Sequence, residues 1–250
     1  MWPTVKLILP MKSIKTAFLI FLTIALSQSI YAQGQIEGNG QVIQQQRNVA
    51  TFNKLTVRVG MRVRITPGDP SKAELEGESN ILKHVVTEVK NNELRIMLEK
   101  DKSFNQSKTV TVTIHVAKLD QVDVSTGCSV ESTLPIQSDN LAATVETGSR
   151  LTAPITTKKL NLTVKDGSQA NLQGTATESY IHLSGAGKLS ADKLTIARAT
   201  IQLDGASRAD IHVTETLSAE ANGVSTINYT GSPTIKSQEV SGMSKIRKQE

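Results

Sequence analysis

From Leu55 onward hydrophobic and polar residues alternate. Leu55, Val57, Val59, Met61, Val63 and Ile65 fall on one side, and Thr56, Arg58, Gly60, Arg62, Arg64 and Thr66 on the other. A period of two held over this length predicts a half-buried β-strand. It stops at Pro67-Gly68-Asp69-Pro70, a turn signature in which proline presets φ and glycine relieves strain. A shorter strand is expected around Ala73 to Glu76. Between 79 and 90, Ile81, Leu82, Val85, Val86 and Val89 share one helical face, yet two β-branched pairs oppose a helix. A short helix and an irregular crossover fit equally well. Asn91-Asn92 marks a turn, Leu94, Ile96 and Leu98 resume the alternation, and Lys100 to Lys108 is a polar loop. Val110 to Val116 reads as another strand.

Beyond Leu119 a longer period takes over. Gly127, Gly148, Gly167, Gly185, Gly205, Gly223 and Gly242 recur 18 to 21 residues apart, each after Thr, Asp, Ser or Asn. Glycine in that setting suits a tight corner that needs positive φ. A short alternating apolar stretch precedes each one, as in Val122-Asp123-Val124 or Leu162-Thr163-Val164. Repeats of this length cannot bury an apolar face singly, so they predict a stacked solenoid of coils of about 19 residues. Residues such as Val145 and Val164 should then lie in register on parallel neighbours. Between the third and fourth copies the pattern slips by one residue, so the corners cannot be uniform. An antiparallel sandwich with a hairpin at every glycine is the competing arrangement, but sandwiches usually carry aromatic cores. Only 3% of the residues here are aromatic, which favours the all-β solenoid.

The chain opens with Lys12 and Lys15 before a ten-residue apolar core, Ala17 to Leu26, and then Ile30-Tyr31-Ala32. That run is too short to span a bilayer comfortably and suits a signal peptide over residues 1–32, with Met11 the better start. Residues 33–46 are polar and glycine-rich, and are expected to form a flexible lead-in. Residues 47–250 are expected to form one domain, with irregular first strands over 47–118 and the glycine-cornered repeats over 119–250. Loss of residues 1–32 lowers the net charge from +5 to +2 and leaves no transmembrane span in the mature chain. A charge this small gives no electrostatic ground for a nucleic-acid partner. The expected location is the periplasm, the outer-membrane surface or the medium.

Candidate chemistry is sparse. Cys128 is the sole cysteine, with no neighbouring His or Lys to activate it, and is expected to be a small, partly buried residue. His84, His115, His182 and His212 form no zinc-binding spacing, so neither a metal nor another cofactor is expected. Asp166 and Asp204 precede corner glycines two coils apart, where equivalent faces could carry the carboxylate pair of a glycosidase. Asp-Gly is also ordinary corner chemistry, and an enzyme is not expected. Binding candidates are the Arg58, Arg62 and Arg64 row, for an anion or acidic glycan, and Tyr180 and Tyr229 as isolated aromatic rings.

Several segments together resemble one known family. These are Gly38-Asn39-Gly40, Arg47-Asn48-Val49 with Phe52, Ile65-Thr66-Pro67-Gly68, Asn80-Ile81-Leu82, Asn92 to Ile96, and the Ser-Gly-Ala-Gly and Asp-Gly-Ala-Ser turns at 184–187 and 204–207. In order and spacing they are similar to the head GIN domain family of auto-transporter adhesins, exported Bacteroidota proteins, over about residues 40 to 240. The resemblance implies a right-handed parallel β-helix-like fold, export, and no catalytic residues to carry over. Two departures stand out. No Gly-Ile-Asn triplet occurs, Ser225-Thr226-Ile227-Asn228 being the nearest, and no series of amphipathic strands for a translocator barrel follows the repeats. The expected function is that of a non-enzymatic adhesin or surface-binding protein for a glycan or protein, with a homo-oligomer left open. A periplasmic structural protein and a polysaccharide-active enzyme are the alternatives.

Overall fold

Inward-pointing Val, Leu, Ile and Ala at every second position build the repeats. In the computed structural model, which describes residues 35–116 and 118–250, their strands pair in parallel from coil to coil. The expected signal peptide lies outside the described residues. The strands in chain order are β1 (Ile36–Glu37), β2 (Val42–Asn48), β3 (Lys54–Arg58), β4 (Arg62–Ile65) and β5 (Lys72–Glu78). A single helical turn, α1 (Ser79–Leu82), precedes β6 (Val85–Lys90), β7 (Glu93–Leu98), β8 (Phe104–Asn105) and β9 (Thr111–Ile114). The repeats contribute β10 (Gln121–Ser125), β11 (Ser129–Ser132), β12 (Ile136–Val145), β13 (Arg150–Val164) and β14 (Gln169–Leu183). They end with β15 (Lys188–Leu203), β16 (Arg208–Ala221), β17 (Thr226–Thr230), β18 (Thr234–Val240) and β19 (Lys245–Lys248).

The result is a parallel β-solenoid of about seven turns, with coils of about 19 residues. Val145 pairs with Val164 as expected, within a column that runs Val57, Val124, Val145, Val164, Leu183, Leu203 and Ala221. Every member of that column is buried. The buried hydrophobic core is almost wholly aliphatic, with Phe52 and Tyr229 as its aromatic members among the described residues.

The start of the solenoid is not in chain order. β7 pairs with β3 and β9 with β4, both in parallel, while β10 and β11 pair with the other edges of β3 and β4. The coil made by β3 and β4 therefore lies between a later segment and the first repeat. Antiparallel strands close this end: β6 on β7, β5 on β9, and β2 on β5. Val42–Asn48 thus forms an edge strand over part of the segment expected to be a flexible lead-in, and Ile36–Glu37 pairs with Phe104–Asn105. β2 is held through its backbone with most side chains in solvent, so its Gln-rich sequence carries no apolar period.

Glu78 fixes this cap. It is fully buried, and its carboxylate accepts the N–H of Gly40 (2.8 Å), the N–H of Ser107 (3.0 Å) and the hydroxyl of Ser107 (2.7 Å). These hydrogen bonds, led by the Ser107 hydroxyl, hold its pKa below the ordinary glutamate value. A side chain on Gly38 would collide with that carboxylate. The Asn39 amide donates to Ser79 Oγ at 2.8 Å, and the Asn80 amide donates to the Glu37 carbonyl at 2.7 Å. The helix-or-crossover ambiguity resolves as one helical turn followed by a strand. Arg47 donates to the carbonyls of Leu82 (2.7 Å) and Val85, satisfying backbone acceptors where that turn ends.

Candidate functional site

The edge formed by the glycine corners organises the surface. Four residues separate the last inward residue before each corner from the first outward residue after it, as from Val145 to Arg150 or Leu203 to Arg208. Thr126-Gly127, Thr147-Gly148 and Asp166-Gly167 have positive φ at both central positions, the pattern of type I′ turns. At the fourth corner the positive pair is Gly185-Ala186, so glycine has moved one place earlier. At Gly205, Gly223 and Gly242 only the glycine is positive, as in type II′ turns. The slip visible in the sequence is a change of turn type within a turn of constant length.

Directly after these turns a buried polar column runs along the solenoid: Cys128, Ser149, Ser168, Ser207, Ser225 and Ser244. The N–H of Cys128 donates to Ser149 Oγ at 3.3 Å, and the N–H of Ser149 donates to Ser168 Oγ at 3.1 Å. Small hydroxyls here satisfy backbone donors that the corner leaves unpaired. Cys128 takes a serine position, and burial pushes its thiol up to about 11, so it is no nucleophile at neutral pH. The serine column was missed in the sequence, although its residues follow the corner glycines at nearly fixed spacing.

The expected arginine row is not one row. Val59-Gly60, with φ of 68° and 59°, is an additional I′ corner that divides the predicted strand into β3 and β4. A two-residue corner preserves the alternation, so the break is invisible to a period-two pattern. Arg58 therefore lines a groove of about 920 Å³ by the cap, with Thr56, Glu93, Arg95, Glu99 and Lys102. Arg64 borders a separate groove of about 430 Å³ with Gln44, Glu74 and Glu76.

Arg62 begins a different feature. Register partners from it run Ser129, Arg150, Gln169, Lys188, Arg208, Thr226 and Lys245. From Arg62 to Lys245 this outward column holds five cations and no acid, and on the other edge of Arg62 it continues to Thr111 and then Glu76. Its repeat signal was present in the sequence as the basic residue closing Thr-Gly-Ser-Arg, Gly-Ala-Gly-Lys, Gly-Ala-Ser-Arg and Gly-Met-Ser-Lys.

Before the corner, the equivalent column runs Thr56, Asp123, Thr144, Thr163, His182, Gln202, Glu220 and Glu239. Tyr180 stands beside it, 46% exposed, with Lys159 Nζ 4.9 Å from the ring centroid. Asn161, Thr163, His182, Thr200 and Gln202 surround it in a shallow depression. Tyr229 is 9% exposed and belongs to the core, which removes it from the binding surface.

The candidate acids are either paired with cations or differently placed in their turns. Glu93 accepts from Arg95 (2.7 and 2.9 Å) and from Thr56 (2.7 Å), and these bonds keep its pKa low. Glu99 is likewise lowered by Lys102 and then His84. Asp166 is the first central residue of its turn, whereas Asp204 precedes the central pair of its own and accepts from the Asn222 amide at 3.1 Å. The two do not occupy equivalent sites. His115 is buried against Thr66, and His212 pairs with Thr230 Oγ1 at 2.9 Å. Among the described residues no group of three or more His, Cys, Asp or Glu is placed to hold a metal ion, and no helix is long and apolar enough to cross a membrane.

The family model described as "Putative auto-transporter adhesin, head GIN domain" matches residues 51–233. The chain belongs to this family. A crystal structure of a "putative adhesin" from Bacteroides fragilis is similar over 86% of this chain and 100% of its own, with 25% identity and a TM-score of 0.80. A "putative adhesin" from Parabacteroides distasonis covers the same shares at 19% identity and a TM-score of 0.69. A "putative lipid binding protein" from the same species does so at 14% and 0.65. The last two likenesses concern the fold alone. One solenoid thus carries differently named proteins, so ligand identity must come from surface chemistry. No curated protein matches the chain.

Proposed function

We propose that this head GIN domain is an exported, non-enzymatic binding module that meets its ligand across an extended sheet face rather than inside a cavity. The observation that carries the reading is the ordered outer surface about the glycine corners, with an acid-bearing column before the corner and a cationic column after it over successive coils. The pairing of Glu93 with Arg95 and of Glu99 with Lys102, and the adhesin names of the family and its neighbours, support it. Enzymatic glycoside cleavage needs an acid and a base across one bond, and the Asp166 and Asp204 geometry speaks against that pair.

Binding of the fluorescently labelled protein to intact bacterial and host cells tests the reading, together with protease shaving of the producing cells. Saturable cell binding and digestion from outside are expected. Full protection in intact cells would place the protein inside the envelope and favour a structural role there. Depolymerisation of any acidic or neutral polysaccharide by the purified protein would refute the non-enzymatic assignment.

A further inference from the structure

We infer that the cationic column beginning at Arg62 is a track for a linear acidic polysaccharide lying along the solenoid axis; this rests on the surface-binding reading above. Neighbouring strands are about 4.8 Å apart, so the seven strand steps from Arg62 to Lys245 cover roughly 34 Å. Arg62, Arg150, Lys188, Arg208 and Lys245 stand two, two, one and two steps apart along that line. Ser129, Gln169 and Thr226 fill the intervening places with neutral hydrogen-bonding groups. All five cations are exposed.

Their charge is largely unspent. Some cations elsewhere are paired, as in Lys158–Asp139, Lys165–Glu146 and Arg198 with Glu178 and Glu215, and others, such as Lys83 and Lys90, are not paired among the described residues, so it is the alignment of the column's cations that sets them apart. In the column only Arg208 forms an ion pair among the described residues, with Asp210 at 3.1 Å. Lys188 and Arg208 are direct register partners, and like charges facing each other on adjacent strands oppose sheet formation. A column that retains such a pair and, from Arg62 to Lys245, no acid is organised for an external anion.

The shape of the column selects the partner. Most of its cations are separated by two strand steps, about 9.6 Å, whereas phosphates of one DNA strand recur every ~3.4 Å. No aromatic residue stands in the column to stack a base, as single-stranded nucleic acid binding usually requires. In the next outward column Arg64 and Arg247 are balanced by Glu131 and Asp210, so the cationic line is one residue wide and offers no broad basic face to a flat anionic membrane. A polymer with an acidic group on every second sugar meets the charges in turn while its hydroxyls reach Ser129, Gln169 and Thr226.

The test uses the secreted chain and fluorescence anisotropy with labelled hyaluronan, polygalacturonate and dextran sulfate, neutral dextran, and vesicles containing phosphatidylglycerol. At least one acidic polymer should bind, with affinity falling as salt rises, and dextran should not bind. Lys188→Glu with Arg208→Glu should weaken that binding by about tenfold or more, since truncating or reversing ligand-facing charges removes both attraction and steering. Lys83→Glu with Lys90→Glu, the same change in net charge on the cap, should leave it within about twofold of the parent. Should the charge-reversed column fail to fold by thermal melt, Lys188→Gln with Arg208→Gln replaces it, with weaker binding again expected.

Equal losses in the cap and column variants would overturn the inference, as would binding to none of the acidic polymers. Preference for the vesicles would overturn it in favour of a membrane. If cell binding survives in the column variants while polymer binding is unaffected, the track is wrong but the surface-binding reading stands.

Discussion

Alanine at two corner glycines should have unequal consequences, because the turns differ. Gly148 is the second central residue of a type I′ corner at φ 68°, and a Cβ built there meets nothing within 4 Å. Gly148→Ala therefore adds only left-handed backbone strain, about 1 kcal/mol. Gly223 is the first central residue of a II′ corner at φ 78°, and a Cβ there would sit 2.6 Å from the Gly205 carbonyl oxygen and 3.3 Å from its nitrogen. Those are backbone atoms of the adjoining coil, with no rotamer to turn away. Relief requires the corner to lift, weakening the Val224 N–H to Gly205 O and Asn222 N–H to Leu203 O bonds, both 2.8 Å. Strain of about 1–3 kcal/mol plus one or two bonds of about 1 kcal/mol each gives a cost near 3–4 kcal/mol. At about 2–4 °C per kcal/mol for a domain of this size, Gly148→Ala should lower Tm by about 3 °C and Gly223→Ala by roughly 10 °C. Gly205→Ala, whose Cβ would approach the Gly185 nitrogen at 3.3 Å, should fall between them. Circular dichroism melts and urea titrations of the three variants provide the measurement. Equal shifts for Gly148→Ala and Gly223→Ala would refute the stacking account, as would full recovery of stability by Gly223→Asn.

Glu78 has a lowered pKa, so its contribution is complete above the ordinary glutamate value of about 4.3 and is lost as pH falls through its lower folded value. Urea midpoints from pH 7 to pH 3 should fall on the acid side, and Glu78→Gln should be less stable at pH 7 with a flatter acid limb; an unchanged limb would remove the clamp. Cys128 should resist Ellman's reagent at pH 8 until urea unfolds the chain, and Cys128→Ser should leave Tm within about 2 °C, since serine occupies the equivalent place in other coils. Rapid native labelling would contradict the burial. Tyr229→Ala should destabilise by about 3 kcal/mol while Tyr180→Ala stays within about 0.5 kcal/mol, a contrast that paired melts would test.

The repeats were legible because two signals coincided: apolar alternation before each corner and a glycine where φ turns positive. The first corner escaped because Val59 takes φ 68°, a genuine outlier for a β-branched residue, and because the two-residue turn leaves Leu55, Val57, Met61, Val63 and Ile65 in step. Placement of β7 and β9 ahead of β3 and β4 left no trace in local pattern, since it depends on which sheet edge a later strand meets. β2 escaped for another reason: an edge strand whose side chains face water has no apolar face to announce it. On the surface, individual arginines suggested a site, but only the inter-coil register showed which of them share a line. Tyr229 could not be told from Tyr180 by composition, because burial of a lone ring depends on the coil above and below it.

The unequal coil lengths have a consequence for change along the lineage. Residue numbers advance by the same step on both sides of a given corner, 19 from Val164 to Leu183 and from Gln169 to Lys188, 20 from Leu183 to Leu203 and from Lys188 to Arg208. The surplus or deficit is absorbed on the far side, at shifts between Asn171 and Gln173, between Ala191 and Thr195, and between Leu217 and Ser218. The solenoid thus has one edge that keeps measure and one that accepts insertion. Additional loops at 192–193 or 214–215 could diversify the far side while every side chain on the corner edge keeps its place in file.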